Sequence, residues 1–315
     1  MENYLSIVSS RGILRSCNIH SKAPRSSYPI LDFQPSTLYP GGSIYVCTDA
    51  LEDFVARLLP NLNNPFVLVS GDSDRPIDDA LLATDPIRSL LNSPLLIRWF
   101  AQNLLTEQRN LFHLPIGLDY HTAWERPSIF EINPISPFAQ ERVLLQQLDE
   151  SPPIERRNVA AYCNWSLTAN RGDRMECLQK VGKDTLFVET QRLERHITWA
   201  RQAKFAFVAS PAGEGADCHR TWEAIMTGSI PIVKLGGLSP LFDVLPVAKV
   251  RDWSEVTKEW LQNILEEFTV RRFDFTPLFL GYWQKRLQGV EPEPLALMTI
   301  AEFRHFITAR AFSNN

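Results

Sequence analysis

The residues best suited to chemistry cluster in the second half of the chain. The run from Phe205 to Val233 has the character of strand, glycine loop, helix, turn and strand. Ligands of an open parallel sheet bind beyond the carboxyl ends of its strands, which is where Ser210, Gly213 and Gly215 fall. The two glycines let backbone approach a ligand closely, and Asp217 is placed to cap the helix. Unpaired N–H groups and the positive dipole end of that helix would then stabilise a diphosphate. His219 and Arg220 on the first turn can add charge-assisted hydrogen bonds to it. Glu223 lies four residues after His219, on the same face, where a carboxylate can accept two ribose hydroxyls. The same residue types also suit a plain glycine turn followed by a solvated helix end.

Three further constellations follow candidate strands. Asn164 to Arg174 is a polar loop running into a helix that carries Arg171 and Arg174. Asp72 and Asp74 follow the apolar run Phe66–Ser70, and paired carboxylates there could hold a divalent cation. Leu114 to Thr122 contains Asp119 and His121, either of which could take a proton from a substrate hydroxyl, Asp119 being the first choice. Lys234 ends a strand at the functional end of the sheet and is a lesser phosphate candidate, whereas Lys204 precedes a strand and points to the opposite end.

These residues need a scaffold of alternating strands and helices. Ser43–Cys47, Phe66–Ser70, Leu95–Phe100 and the stretch from Asn110 are candidate strands of a first series, with helical spacing over Ala50–Leu62. Residues 21–42, rich in Ser, Pro and Gly, read as loop. Residues 125–157 lose periodicity, hold five prolines and read as a linker. A second series then alternates: strands at Asn158, Thr185, Phe205, Ile230 and Ala248, helices over Arg171–Val181, Arg192–Gln202, His219–Thr227 and Ser254–Phe268, and a terminal helix over Ile300–Ala309. Such alternation implies βαβ units and parallel sheets. The expected fold is α/β with two Rossmann-like domains facing across a cleft, residues 1–150 and 151–315.

The segment formed by Ser210, Pro211, Gly213, Arg220, Glu223, Ala224, Gly228, Ile230 and Pro231 resembles the C-terminal motif of exostosin-like glycosyltransferases, and more distantly the donor motif of α1,3-fucosyltransferases. The likeness covers about 30 residues strongly and the second half loosely. It implies a GT-B fold with Glu223 on the ribose, basic residues including Arg171 or Arg174 on the diphosphate, and no metal. It further implies an inverting transfer from a nucleotide-sugar, UDP being favoured, to a glycan hydroxyl. The alternatives are a metal-dependent GT-A transferase using Asp72 and Asp74, and a non-catalytic nucleotide- or glycan-binding protein.

Bulk properties narrow the classes. At 315 residues the chain suits two domains. A net charge of −4 supplies no general basic field for a nucleic acid. Met1–Ile19 has neither a signal-peptide core nor a membrane-length apolar span. Five scattered cysteines without a CxxC motif argue against zinc and against a disulfide framework. A cytoplasmic protein is the expectation. No GxGxxG follows any strand, which disfavours a dehydrogenase.

Overall fold

A computed structural model describes residues 2–129, 132–165, 171–191 and 193–312. It contains two five-stranded sheets whose paired strands are all parallel. The first comprises β1 (Ile19–His20), β2 (Gly42–Cys47), β3 (Phe66–Gly71), β4 (Leu96–Ala101) and β5 (Leu111–His113), side by side in chain order. The second comprises β6 (Asn158–Cys163), β7 (Leu186–Val188), β8 (Phe205–Ala209), β9 (Ile230–Lys234) and β10 (Ala248–Val250), ordered β10-β9-β8-β6-β7. These are two Rossmann-like units. Strand β3 shows why its sequence is apolar throughout. Val67 and Val69 enter one core cluster and Phe66 and Leu68 the other, so both faces are covered by packed elements.

The two strand orders differ in consequence. In the first sheet every connection steps in one direction. In the second, the chain moves outward from β6 to β7 and then crosses back to β8 on the other side of β6. The connections after β6 and β8 therefore diverge, and the crevice outside the carboxyl ends of these neighbours is the topological switch point where ligands of open α/β sheets bind.

The expected linker is corrected by the structure. Within residues 125–157 lies the 14-residue helix Pro137–Glu150, capped by Ser136, whose Oγ accepts from the Ala139 amide at 3.2 Å. Its proline stands at the first helical position, where no amide is required, so it starts the helix rather than breaking it. Leu144, Leu145 and Leu148 are buried. The Glu141 carboxylate accepts from the backbone amides of Ser6 and Ile7, both at 3.0 Å, fastening the N-terminus. The terminal helix, Ile300–Phe312, packs on Pro137–Glu150 and on Lys258–Val270. Helix Leu280–Leu287 packs on Ser10–Ser16, so the end of the chain returns to its beginning. Among the described residues no helix is long and apolar enough to cross a membrane, and Cys17, Cys47, Cys163, Cys177 and Cys218 are free thiols.

Candidate functional site

The carboxyl edges of the two sheets face each other, because the loops leaving them are in direct contact. The Asp217 amide donates to Asn103 Oδ1 at 2.9 Å, and the Asp217 carboxylate accepts from the Ile116 amide at 2.7 Å. His219 Nδ1 donates to the Gly117 carbonyl at 2.7 Å, and His113 Nε2 to the Gly237 carbonyl at 2.8 Å. Asp72 and Asn103, just beyond β3 and β4, hold left-handed backbone with φ of 53° and 52°, a conformation that Asp and Asn tolerate better than most residues. Gly117 has φ of +64°, and a Cβ there would lie 2.5 Å from the Val8 carbonyl oxygen, so only glycine lets this loop present its carbonyl to His219.

The N-cap of helix His219–Met226 is Cys218, not Asp217 as the sequence suggests. The buried Asp217 carboxylate serves instead as the acceptor between the halves and takes Trp222 Nε1–H at 2.9 Å. Burial raises its pKa to about 6, against the pull of these two donors. Ser210 also turns inward, its Oγ sharing a 2.8 Å hydrogen bond with Thr221 Oγ1 in the core.

Two arginines flank the glycine loop at the switch point. Arg174, first residue of helix Arg174–Lys180, lies so close to Gly213 that a Cβ there would meet its Nη2 at 2.8 Å. Arg220 donates to the Pro211 carbonyl at 2.9 Å, and its guanidinium sits 5.2 Å from the Trp165 ring centre. Asp173 fixes the loop from below, accepting from the Ala212 amide at 2.7 Å and from Trp253 Nε1 at 2.6 Å. Both Arg174 and Arg220 have a buried Nε without a hydrogen-bond partner among the described residues, and neither forms an ion pair there. Burial lowers the Arg174 pKa, and the Arg220 charge lowers it further. Two neighbouring guanidiniums left unneutralised are costly unless an anion joins them. Arg171 is half-exposed and paired at 2.6 Å with Glu214 of the glycine loop. Lys234 is taken by Glu176 at 2.7 Å.

The other residues gather where the halves meet. Arg195, on helix Arg195–Gln202, donates to the Asp119 carbonyl, to Asp119 Oδ2 at 2.7 Å and to Gln140 Oε1 at 3.1 Å, with Glu223 Oε1 4.0 Å from its Nε. Glu223 thus faces the ion cluster, and burial raises its pKa. Burial alone would also raise Asp119. The neighbouring His121, Arg195 and His219 and the Thr122 amide outweigh it and hold this carboxyl below the ordinary range. His121 Nδ1 stands 3.1 Å from Asp119 Oδ1 and 3.4 Å from Ser10 Oγ. Burial lowers its pKa despite Asp119, which favours the neutral imidazole. The Gly117 carbonyl can only accept, so Nδ1 of His219 carries a proton. The rings are 6.4 Å apart, and both line a cavity of about 550 Å³.

Asp72 and Asp74 are otherwise engaged. Asp72 Oδ2 accepts from Arg11 Nη1 and from the Tyr45 hydroxyl, both at 2.8 Å. Burial raises the Asp74 pKa, and the Gly215 backbone bonds to its carboxylate. Among the described residues no group of three or more His, Cys, Asp or Glu side chains is arranged to hold a metal.

No family model and no curated protein matches the chain. Solved structures with partial likeness include the α,α-trehalose 6-phosphate synthase of Burkholderia multivorans, at 10% identity and a TM-score of 0.40, over 89% of this chain and 73% of that one. A UDP-forming trehalose-phosphate synthase of Burkholderia xenovorans, in complex with glucose-6-phosphate, gives 11% and 0.39, over 80% and 70%. An α1,3-fucosyltransferase gives 11% and 0.35, over 87% and 77%. The description of the fold rests on the two parallel sheets themselves.

Proposed function

We propose that the protein is an inverting, metal-independent glycosyltransferase that moves a sugar from a nucleotide-sugar, with UDP as the nucleotide, to a hydroxyl of a glycan acceptor. One observation carries this reading: Arg174 and Arg220, without ion-pair partners among the described residues, flank a glycine loop at the switch point of the second sheet. A nucleoside diphosphate has the charge and the length for that place. Glu223, one turn beyond Arg220, is the candidate ribose acceptor, and His219 extends the polar surface toward the first half.

His121 is the better base of the two candidates. Asp119 is held ionised by its cationic neighbours and is a weak proton acceptor, whereas His121, whose pKa burial lowers, lines the cavity and can take the proton at Nε2. Asp119 becomes the positioning residue that fixes the tautomer. In the transfer, the acceptor oxygen loses its proton to His121 Nε2 as it bonds to the anomeric carbon. The opposite carbon–oxygen bond breaks, and its electron pair leaves on the diphosphate, stabilised by Arg174 and Arg220. A metal-dependent reading through Asp72 and Asp74 would first have to free Asp72 from Arg11 and Tyr45.

The test is thermal unfolding with UDP, GDP and CMP, in EDTA and in Mn²⁺. UDP in EDTA should raise Tm by several degrees. Arg220→Ala should weaken UDP about 10- to 100-fold, the range expected from losing charge-assisted hydrogen bonds. Stabilisation that appears only with Mn²⁺, or none with any nucleotide, would overturn the proposal.

A further inference from the structure

The 550 Å³ cavity belongs almost wholly to the first half, and His219 is the one lining residue from the second. Its wall carries Arg11, Arg15, Lys22, Arg25 and Arg126 against Asp72, Asp74 and Glu125, an excess of cations in a chain whose net charge is −4. The pairing within the wall sharpens that excess. Arg11 is consumed by Asp72 at 2.8 Å, with Glu125 3.6 Å from its Nε. Among the described residues, Arg15, Lys22, Arg25 and Arg126 form no ion pair.

The cationic loop is held in place. Arg11 Nη2 donates to the Pro24 carbonyl at 3.0 Å, and Arg15 Nη2 to the Lys22 carbonyl at 2.8 Å. The Ser26 amide donates to the Asp72 carbonyl at 3.1 Å. Two arginines thus fix the backbone that bears Lys22 and Arg25. Such a wall has preformed positive potential on one side and the imidazoles of His121 and His219 on another.

We infer that this cavity is the acceptor site and that the acceptor sugar carries an anionic group, phosphate, sulfate or carboxylate, held by Arg25, Lys22 and Arg126 while one of its hydroxyls meets His121. The inference rests on the glycosyltransferase reading for the word acceptor, but the anion site stands on the cavity wall alone.

Calorimetric titration of the full chain with glucose 6-phosphate, glucose 6-sulfate, glucuronate and glucose tests it, with UDP titrated in parallel. At least one of the three anions should bind saturably, more weakly as salt rises, and well above glucose. The double variant Arg25→Gln/Arg126→Gln should weaken that anion by about tenfold or more and leave UDP unchanged. The anions that bind identify the group. Equal binding of glucose and the anions, no saturable binding of any anion, or an unchanged affinity in the double variant would overturn the inference. So would a double variant that loses UDP, because the basic wall would then hold the nucleotide. UDP binding without anion binding would sink this inference and leave the donor site intact, whereas the reverse would sink the donor site and leave the anion pocket.

Discussion

His121→Gln should lower turnover by roughly 100- to 10,000-fold, the range that a positioned general base supplies, while UDP binds with unchanged affinity. The reason lies in the surroundings of the ring. Nδ1 stands 3.1 Å from Asp119 Oδ1 and 3.4 Å from Ser10 Oγ, so Nε2 is the atom left for the acceptor proton. Glutamine keeps a polar side chain near Asp119 but has no comparable base. The pH dependence supplies a second check. A base works unprotonated, so kcat/KM should fall as pH drops through the His121 pKa. Burial sets that pKa below the usual 6.5, and the acid limb should therefore lie below pH 6.5. Release of UDP from a UDP-sugar, followed from about pH 5 to pH 8, measures both effects. An unaltered rate in His121→Gln would remove this residue from the mechanism and return the role to another group.

Arg195→Met should destabilise the fold by about 3–5 kcal/mol at pH 7, read from urea denaturation, because removing one partner leaves buried carboxylates uncompensated. Arg195 spans Asp119 and Gln140 from the first half of the chain and Glu223 from the second, so its loss loosens the junction itself. The sign with pH is specific. In the native protein the Asp119 pKa is depressed, so its contribution is present above the unfolded value near 3.8 and disappears as pH falls through the folded value. Without Arg195, Asp119 is depressed less and burial raises Glu223 further, so that an ionised Glu223 costs stability. The difference between the two proteins should therefore be largest near neutral pH and shrink as pH approaches 4. A constant difference across that range would show that lost packing, not charge, dominates.

Much of the second sheet is legible in the sequence. β6, β8, β9 and β10 are short apolar runs bounded by turns, and their spacing with the helices implies parallel pairing. The first half is less legible for physical reasons. β1 has two residues and carries no period, and the helix Pro137–Glu150 mixes Gln, Glu and Arg into its stripe because three of its neighbours are polar groups it must satisfy: the Ser6 and Ile7 amides and the Tyr120 carbonyl. Strand-end placement puts Arg174, Arg220 and His121 beyond the carboxyl ends of strands, but local reasoning cannot see partners. Asp217 looks like a helix cap until Ile116, 101 residues away, takes its carboxylate. Asp119 looks like a free base until Arg195, 76 residues away, neutralises it. The basic cavity wall was within reach of the sequence. Arg11 and Arg15 stand four apart on one short helix, followed by Lys22 and Arg25 in a loop otherwise read only for its Ser, Pro and Gly.

The central claim is that a nucleoside diphosphate lies at the switch point between β6 and β8. A crystal structure of the protein with UDP addresses it most directly. The account predicts diphosphate oxygens within hydrogen-bond distance of Arg174 and Arg220 and a ribose beside Glu223. UDP bound elsewhere, or that crevice still filled by protein side chains at saturating UDP, would contradict it.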